Sequence, residues 1–374
     1  MLMDSVRNTG RISSGHASYS PAGTHSDRLL YADGIRAYAA VSVVVIHVAA
    51  DLVEWFPSLS RSWWWIANII DTVAGPAVPL FYMLSGMLLL DPAKKEPIRI
   101  FLMKRARRVL LPWLAWGIIY LCWRAFFHGE VMSWRVGIRA FVEGTIYSGF
   151  GFFYGLFGLY LATPILRVYI RNASRRDLNY FLGLWFLLVP LAGWITSFLG
   201  LEVGVKATMG AQFAGYFVAG HALRGITLNR KQLMFTLPVI AGLAAITSVG
   251  TYFLTVQRGR LDTEFYNYLS PNVVLFAVLV FLILKSLPYS QAFAKHRLLH
   301  SAVIATAASS LGIYFLNQLV PEPLKAGRIG ILLSGMTLHP LIGIPLTTIV
   351  AVTFCVIVTH ALRRLPLVRD VLVP

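Results

Sequence analysis

The sequence Asp33-Gly-Ile-Arg36-Ala-Tyr-Ala-Ala-Val-Ser-Val-Val-Val-Ile-His47-Val-Ala-Ala-Asp51 decides the fold of the chain. The ten residues between Arg36 and His47 are apolar except for one tyrosine and one serine. A continuous apolar run is typical of a membrane-spanning helix, whereas a membrane barrel strand alternates apolar and polar residues. A bilayer core of about 30 Å needs about 20 helical residues. This stretch therefore predicts a transmembrane helix over 35–54.

Apolar runs of the same kind recur along the chain, separated by polar loops. Together with the first run they predict an all-α polytopic membrane protein, a bundle of about ten transmembrane helices. The predicted spans are 35–54, 66–90, 108–127, 148–168, 179–199, 208–224, 233–255, 270–288, 301–320 and 338–362.

The composition also indicates that lipid is the main solvent. Of the 374 residues, 57% are hydrophobic and 13% are charged, whereas about 25% of the residues of a soluble domain are charged. The net charge of +17 comes mostly from Lys and Arg residues in alternate loops, as the positive-inside rule requires. Because no cationic segment stands free of the apolar runs, we expect no nucleic-acid partner.

The placement of the basic residues predicts the orientation of the chain. With an even number of spans, the excess of Lys and Arg in alternate loops places both termini in the cytoplasm. Residues 1–28 are polar and lack the apolar core of a signal peptide, which predicts a disordered cytoplasmic tail. We therefore expect a multi-pass protein of the inner (cytoplasmic) membrane with a single transmembrane domain over 29–370.

Two ionisable residues of the first predicted helix share one face. Arg36 and His47 are eleven residues apart, which puts them within about 20° of the same direction and about 16 Å apart along the helix axis. Arg36 then lies at the cytoplasmic rim and His47 near the bilayer centre. An ionisable group at that depth usually marks function, although a neutral histidine also serves as an interhelical hydrogen-bonding group.

Two carboxylates flank this pair. Asp51 lies one turn beyond His47 and is a candidate to orient its imidazole, as carboxylates orient catalytic histidines. Asp33 lies three residues before Arg36, a spacing that allows the two side chains to pair on a helix.

The second and third predicted helices add further candidates. Ser85 and Gly86 form a small pair that permits close backbone approach, and the Ser85 hydroxyl is a candidate ligand-binding group. The basic cluster Lys104-Arg105-Ala-Arg107-Arg108 enters the third helix. By their three-residue spacing Arg105 and Arg108 share a face. They are either topogenic charges only or ligands of an anion such as a phosphate.

These segments together resemble the acyltransferase 3 family of membrane-bound O-acyltransferases, in particular the bacterial branch that acetylates surface or exopolysaccharide sugars. The likeness is carried by the Arg36–His47 spacing, Val78-Pro-Leu-Phe-Tyr-Met-Leu-Ser85-Gly86, the Arg105–Arg108 pair before Pro112-Trp113, Gly158-Leu-Tyr160-Leu-Ala-Thr-Pro164-Ile-Leu-Arg167 and Ser310-Leu-Gly-Ile-Tyr314-Phe-Leu. The chain departs from the family pattern at 149–154, where a histidine and a tryptophan are common, and at Asn317, where a histidine often stands.

The resemblance implies an acyltransferase with about ten helices. The donor would be an acyl-coenzyme A, most often acetyl-CoA, which enters from the cytoplasm as a cosubstrate. The acceptor would be a hydroxyl of a lipid-linked or exported glycan. Besides these two substrates and the membrane lipids, the expected partners include the machinery of polysaccharide synthesis or export.

For the donor, the resemblance implies that Arg36, Arg105 and Arg108 hold the phosphates at the cytoplasmic rim, with Ser85 as a further contact. The rise of about 16 Å between Arg36 and His47 is comparable with the length of the extended pantetheine arm, so the thioester would reach mid-membrane.

For the chemistry, His47 is the predicted general base and Asp51 its predicted neighbour. Hydrogen bonds to the acceptor or to the developing oxyanion are expected from Ser85 or from one of three residues further along the chain. These are Tyr160, Tyr314 and Asn317.

Two other classes of function fit parts of the pattern. A transporter or flippase of lipid-linked sugars would share the helices and the intramembrane histidine, but it would not need a basic cluster aligned with a buried base. A non-catalytic scaffold for a polysaccharide synthase would tolerate substitution of Arg36 and His47. A metal site is not expected, because the histidines lack a ligand spacing such as the two-histidine i, i+4 pattern.

Overall fold

The computed structural model describes residues 25–200, 209–328, 330 and 332–373. Of the predicted tail 1–28, residues 1–24 lie outside the described part of the chain, and His25 is the first residue of the first helix. Within the described part the chain is helical and has no strand.

The helices follow one another with short connections. The first nine, α1 to α9, are His25–Val53, Arg61–Ala74, Ala77–Leu89, Ile98–Arg105, Leu111–His128, Trp134–Glu143, Gly151–Asn172, Arg175–Phe186 and Ala192–Leu199. The others, α10 to α19, are Met209–Gln212, Ala214–Ala222, Arg230–Arg258, Pro271–Ser286, Tyr289–Lys295, Arg297–Ala308, Ser310–Leu316, Pro321–Lys325, Pro340–Arg364 and Pro366–Leu372. Two π-helical turns, Ala106–Leu110 and Leu187–Leu191, join α4 to α5 and α8 to α9.

The number of membrane-spanning segments differs slightly from the prediction. In the described ranges, eight helical segments are long and apolar enough to cross a membrane, or nine if α15 and α16, which meet at 65°, form one bent span. This confirms the all-α polytopic fold, whereas the count of about ten is not confirmed.

The predicted span 208–224 accounts for part of the difference. Apart from residue 208, which is not described, it forms the short helices α10 and α11. The nine residues of α11 extend about 14 Å, too short for a hydrocarbon core of about 30 Å. Nearly all of α11 is buried. This segment is apolar because it packs inside the protein, not because it faces lipid.

Local signals in the sequence account for several helix ends. Ser174 and Asn229 begin α8 and α12 with capping boxes, in which the side chain accepts a hydrogen bond from a backbone N–H three residues on. Gly259 ends α12 with a φ of 66°, a conformation that glycine adopts without steric cost.

The closest helix contact is between α3 and α11. A Cβ atom placed on Gly86 would lie 1.7 Å from the carbonyl oxygen of Phe217, and one placed on Gly220 would lie 1.8 Å from the carbonyl oxygen of Met83. Two glycines on opposite helices therefore allow backbone-to-backbone contact, as small residues do in membrane bundles. The expected close approach at Ser85-Gly86 is confirmed.

Helix α1 lies at the centre of the bundle. It packs against α2, α3, α13, α14, α15, α16 and α18. Small side chains, among them Ala39, Val44 and Ala49, are fully buried along it, which lets these neighbours pack closely. Because α1 runs without a break from His25 to Val53, the helical relation between Arg36 and His47 holds along its length.

The two ends of the bundle differ in charge. The start of α1 lies beside the end of α3, since the Tyr31 hydroxyl lies 3.7 Å from the sulfur of Met87. We call this the arginine end, defined by Arg36, Arg105 and Arg167. At the other end α1 carries Asp51 and is followed by Glu54, and α17 carries Glu322. We call this the carboxylate end.

The α3–α11 crossing yields the first prediction. Gly86→Ala introduces a methyl group against the backbone of α11, so we expect a loss of about 1–3 kcal/mol of stability, the usual cost of overpacking. The measurement is the thermal midpoint and the monodisperse fraction of the purified protein.

The matched control is Gly242→Ala in α12, where an added Cβ meets nothing within 4 Å. There alanine should be neutral or stabilising by up to about 1 kcal/mol, because it has the higher helix propensity. A thermal midpoint for Gly86→Ala equal to that of Gly242→Ala would contradict the close crossing.

Candidate functional site

His47 of α1 contacts the side-chain amide of a residue that was not among the predicted site residues. His47 is half-buried, and its Nδ1 lies 2.6 Å from Nε2 of Gln318, which follows the end of α16. Its Nε2 has no hydrogen-bonding partner among the described residues. The imidazole is therefore fixed through one nitrogen and open through the other.

Gln318 can pair with either tautomer of the neutral imidazole. A side-chain amide has both an NH₂ donor and an oxygen acceptor, and a 180° rotation exchanges them. With NH₂ toward Nδ1, a neutral imidazole carries its proton on Nε2. With the oxygen toward Nδ1, the proton sits on Nδ1, and Nε2 has a free lone pair with which it can act as a base.

Asp51 has a different partner from the expected one. Its Oδ1 lies 2.5 Å from Nζ of Lys325 in α17, and in the described part of the chain no hydrogen bond joins Asp51 to His47. The expected carboxylate–imidazole contact is corrected to an ion pair, because a cationic ammonium is a stronger partner for a carboxylate than a neutral imidazole is. The segment that carries Gln318 is thereby fixed to α1 at a second point.

Arg36 pairs as the sequence predicted. Its Nη1 lies 2.7 Å from Oδ1 of Asp33, and both side chains are partly exposed. The pair lies at the arginine end of α1, about 16 Å along the helix from His47.

Two other arginines at this end lie against the same aromatic ring. The guanidinium carbons of Arg105 and Arg167 lie 5.4 and 4.7 Å from the centre of the Phe101 ring. Arg167 is only 7% exposed, and its Nε donates to the carbonyl oxygen of Leu89 over 2.8 Å. Arg167 ends the Gly158–Arg167 motif but was not among the predicted site residues.

Both arginines retain unused hydrogen-bond donors. Nε of Arg105 and Nη2 of Arg167 are buried and have no hydrogen-bond partner among the described residues. Buried polar atoms in native proteins nearly always have a partner, so two such donors side by side indicate a place for an acceptor. Guanidinium groups suit the oxygens of phosphates and carboxylates.

One carboxylate lies near this pair without bonding to it. Glu96, in the connection before α4, accepts a hydrogen bond from Lys104 over 2.6 Å. That bond lowers the pKa of Glu96, and the attraction of Arg105 and Arg167 adds to the effect. Glu96 is therefore charged at neutral pH, while its hydrogen bond goes to Lys104 and not to the arginines.

Arg108 and Arg105 lie in different environments. The chain between them enters the π-helical turn Ala106–Leu110, whose wider turn changes the angle between residues three apart. Arg105 is half-buried against Phe101, whereas Arg108 is exposed. The expected Arg105–Arg108 pair is thus corrected to a pair of Arg105 and Arg167.

Ser85 and Tyr160 lie toward the arginine end. Ser85 is half-buried on α3, one turn before the Leu89 carbonyl that binds Arg167, and its hydroxyl has no hydrogen bond among the described residues. The ring of Tyr160 lies 5.9 Å from the guanidinium of Arg105. Tyr160 is therefore placed with the candidate anion site.

The two oxyanion candidates after α15 have their donors directed to the backbone. The Tyr314 hydroxyl donates to the carbonyl oxygen of Gly149 over 2.9 Å. The Asn317 amide donates to the carbonyl oxygen of Tyr314 over 2.6 Å. Both residues are buried. The Tyr314 hydrogen bond also joins the motif at 310–316 to the segment at 149–154, where the chain departs from the family pattern.

The described residues contain no group of three or more His, Cys, Asp or Glu side chains able to hold a metal ion.

The partner of Asp51 can be tested by double-mutant cycles. Asp51→Asn and Lys325→Gln should couple by about 0.2–1 kcal/mol, the usual range for a partly exposed ion pair. Asp51→Asn with His47→Gln serves as the comparison and should show coupling near zero. Denaturant unfolding in mixed micelles measures both. A larger coupling of Asp51 to His47 than to Lys325 would contradict the arrangement described.

Comparison with known proteins identifies the family of the chain. Residues 29–360 match the family model described as an acyltransferase domain. No curated protein and no solved structure matches the chain significantly. The matched range begins at the start of α1, extends into α18 and includes His47, Arg105 and Gln318. The chain therefore belongs to the acyltransferase 3 family and is a membrane acyltransferase.

Proposed function

We propose that this protein is an acyl-CoA-dependent O-acyltransferase of the cytoplasmic membrane. It moves an acyl group, in the simplest case acetyl from acetyl-CoA, to a hydroxyl of a lipid-linked or exported glycan. The observation that carries the proposal is the placement of a half-buried histidine and a set of arginines at different depths of one bundle. His47 and Arg36 lie on the same unbroken helix.

The arginine end supplies the donor site. Arg105 and Arg167 have buried N–H groups that no described residue binds, and the phosphates of coenzyme A offer the oxygens that these groups lack. Arg36 adds a third positive charge at the same end. Arg108, which is exposed, is replaced in this role by Arg167. Ser85 and Tyr160 line the way from these arginines into the bundle.

The distance between the arginine end and His47 matches the length of the donor's pantetheine arm. When the phosphates bind at the arginine end, an extended pantetheine arm of roughly 16 Å is needed to bring the thioester to His47. Bringing the thioester and the acceptor together at one buried base replaces an encounter in solution by a fixed geometry.

The transfer itself uses Nε2 of His47. With the Gln318 oxygen accepting from Nδ1–H, Nε2 takes the proton of the acceptor hydroxyl while the hydroxyl oxygen attacks the thioester carbonyl. The new C–O bond forms, the C–S bond breaks, and the leaving thiolate takes the proton back from the imidazolium. Such general-base catalysis contributes typically about 10²–10⁴-fold to the rate. The amide NH₂ of Gln318, turned away from Nδ1, is free to donate to the oxyanion.

The role of the base is tested by acyl transfer from radiolabelled acetyl-CoA in proteoliposomes that contain a bacterial envelope glycan extract as acceptor. We expect His47→Ala to reduce the rate at least about 10²-fold. Gln318→Glu keeps an oxygen acceptor for Nδ1–H and should retain more activity than Gln318→Met, which is similar in size but lacks the acceptor. Equal activity of the two Gln318 variants would contradict the proposed orientation of the amide, and wild-type activity of His47→Ala would remove the base from the mechanism.

The donor site is tested by the affinity for acetyl-CoA. Arg105→Met and Arg167→Met each remove a charged hydrogen bond to phosphate, so we expect the dissociation constant to rise about 10- to 100-fold. Calorimetric titration of the purified protein measures it. The matched controls are Arg108→Met and the exposed Arg139→Met, whose guanidinium pairs with Glu143. A wild-type protein that binds no acetyl-CoA but moves lipid-linked sugars would instead favour a transporter.

A further inference from the structure

A cavity with several polar side chains in its lining lies beside α1 on the side of the carboxylate end. It has a volume of about 180 Å³ and is enclosed by α1, α2, α12, α13 and the connection between α12 and α13. Its polar lining includes Glu54, Asp71, Thr72, Thr247 and Thr263. The donor chemistry described above does not use any of these residues.

Asp71 is the residue that distinguishes this cavity. It lies within α2, is only 8% exposed, and has no hydrogen-bond or ion-pair partner among the described residues. Acidic side chains are rarely buried without a partner, and in a membrane-spanning segment they usually face a ligand or ion pathway. The exposed Glu54 places a second carboxylate at the mouth of the same cavity.

The surrounding polar residues are bonded to one another and form a fixed frame. Asn68 donates to the carbonyl oxygen of Ser248 over 2.9 Å and accepts from the Tyr266 hydroxyl. The hydroxyls of Ser248 and Thr72 are 2.9 Å apart. This network joins α2 to α12 and to the connection after it, while Asp71 remains available to a ligand.

The chemistry of the lining suits a hydroxyl-rich ring. Carboxylates accept hydrogen bonds from hydroxyls, and threonine hydroxyls both donate and accept them. Apolar side chains such as Val273 and Phe276 provide a wall for the C–H face of a ring. The volume corresponds to about six waters at about 30 Å³ each in the liquid, enough for a single ring. Two carboxylates disfavour an anion in the same space.

The cavity also adjoins the proposed base. Ile46 and Ala50, which line it, are the residue before His47 and the residue three positions after it. On a helix these positions lie on the face next to that of His47. A ring held in the cavity can therefore direct a hydroxyl toward the imidazole, whose Nε2 has no partner in the described part of the chain.

We propose that this cavity is the acceptor subsite, which binds the ring of a neutral or amino sugar through Asp71 and Glu54. The inference rests on the proposed function and adds two statements to it. The acceptor approaches His47 from the carboxylate end, opposite to the donor. The ring that occupies the cavity carries no carboxylate or phosphate.

The experiment measures sugar binding directly, without acyl transfer. The protein is placed in nanodiscs free of sugar detergent, and saturation-transfer NMR is recorded with methyl glucoside, galactoside, mannoside and N-acetylglucosaminide. Methyl glucuronide and galacturonide are the anionic counterparts. We expect at least one neutral glycoside to bind and its uronide to bind at least about tenfold more weakly.

The variants separate the cavity from the base. Asp71→Asn, which keeps the shape of the side chain, should weaken binding about 10- to 100-fold, and Glu54→Gln should weaken it less. Ala50→Leu fills the cavity from α1 and should abolish binding without touching a carboxylate. The surface control Glu143→Gln should bind as the wild type does, and His47→Ala, which removes one hydrogen bond to the sugar hydroxyl, should weaken binding less than Asp71→Asn.

The outcomes for the two proposals are distinct. If no neutral glycoside binds, if uronides bind equally well, or if Asp71→Asn and Ala50→Leu bind normally, the acceptor subsite is overturned even when acetyl-CoA binds and acyl transfer proceeds. If the glycoside binding follows the expected pattern but acetyl-CoA does not bind, the acceptor subsite stands as a sugar site and the acyltransferase mechanism fails.

Discussion

The cost of placing an ionisable side chain in hydrocarbon determines where this protein can carry out its chemistry. An imidazole or a carboxylate at mid-membrane has to face the protein interior or a cavity, and α1 satisfies this requirement by lying at the centre of the bundle. Its neighbours close around small side chains. His47 can therefore remain half-buried beside the Gln318 amide, and everything proposed for the reaction depends on that position.

Close packing of α3 against α11 accompanies the arginine end of the site. The backbone contact between Gly86 and Phe217 brings α11 into the interior, although α11 is too short to cross the membrane alone. The end of α3 then presents the Leu89 carbonyl to Arg167. The same helix, α3, thus carries both the glycine contact with α11 and the carbonyl that binds Arg167.

The features that could be predicted from the sequence are those that depend on local periodicity. The helical relation of Arg36 and His47, the Asp33–Arg36 pair and the close approach at Gly86 follow from spacing along one segment. The relation of Arg105 to Arg108 could not be predicted in this way, because a π-helical turn changes the angle between them. Hydropathy alone also could not separate a segment buried in protein from one facing lipid, as 208–224 illustrates.

Contacts between distant segments could not be predicted from the sequence for a different reason. Gln318 and Lys325 reach His47 and Asp51 only because the connection after α16 folds back over the end of α1. The same tertiary arrangement places Arg105 and Arg167 at one end of the bundle, whereas at the other end Asp51 is paired with Lys325 and Glu322 with His128. Under the proposed function, the anionic donor is attracted to the guanidinium groups of the first end. The opposite approach to His47 is then left to the proposed acceptor.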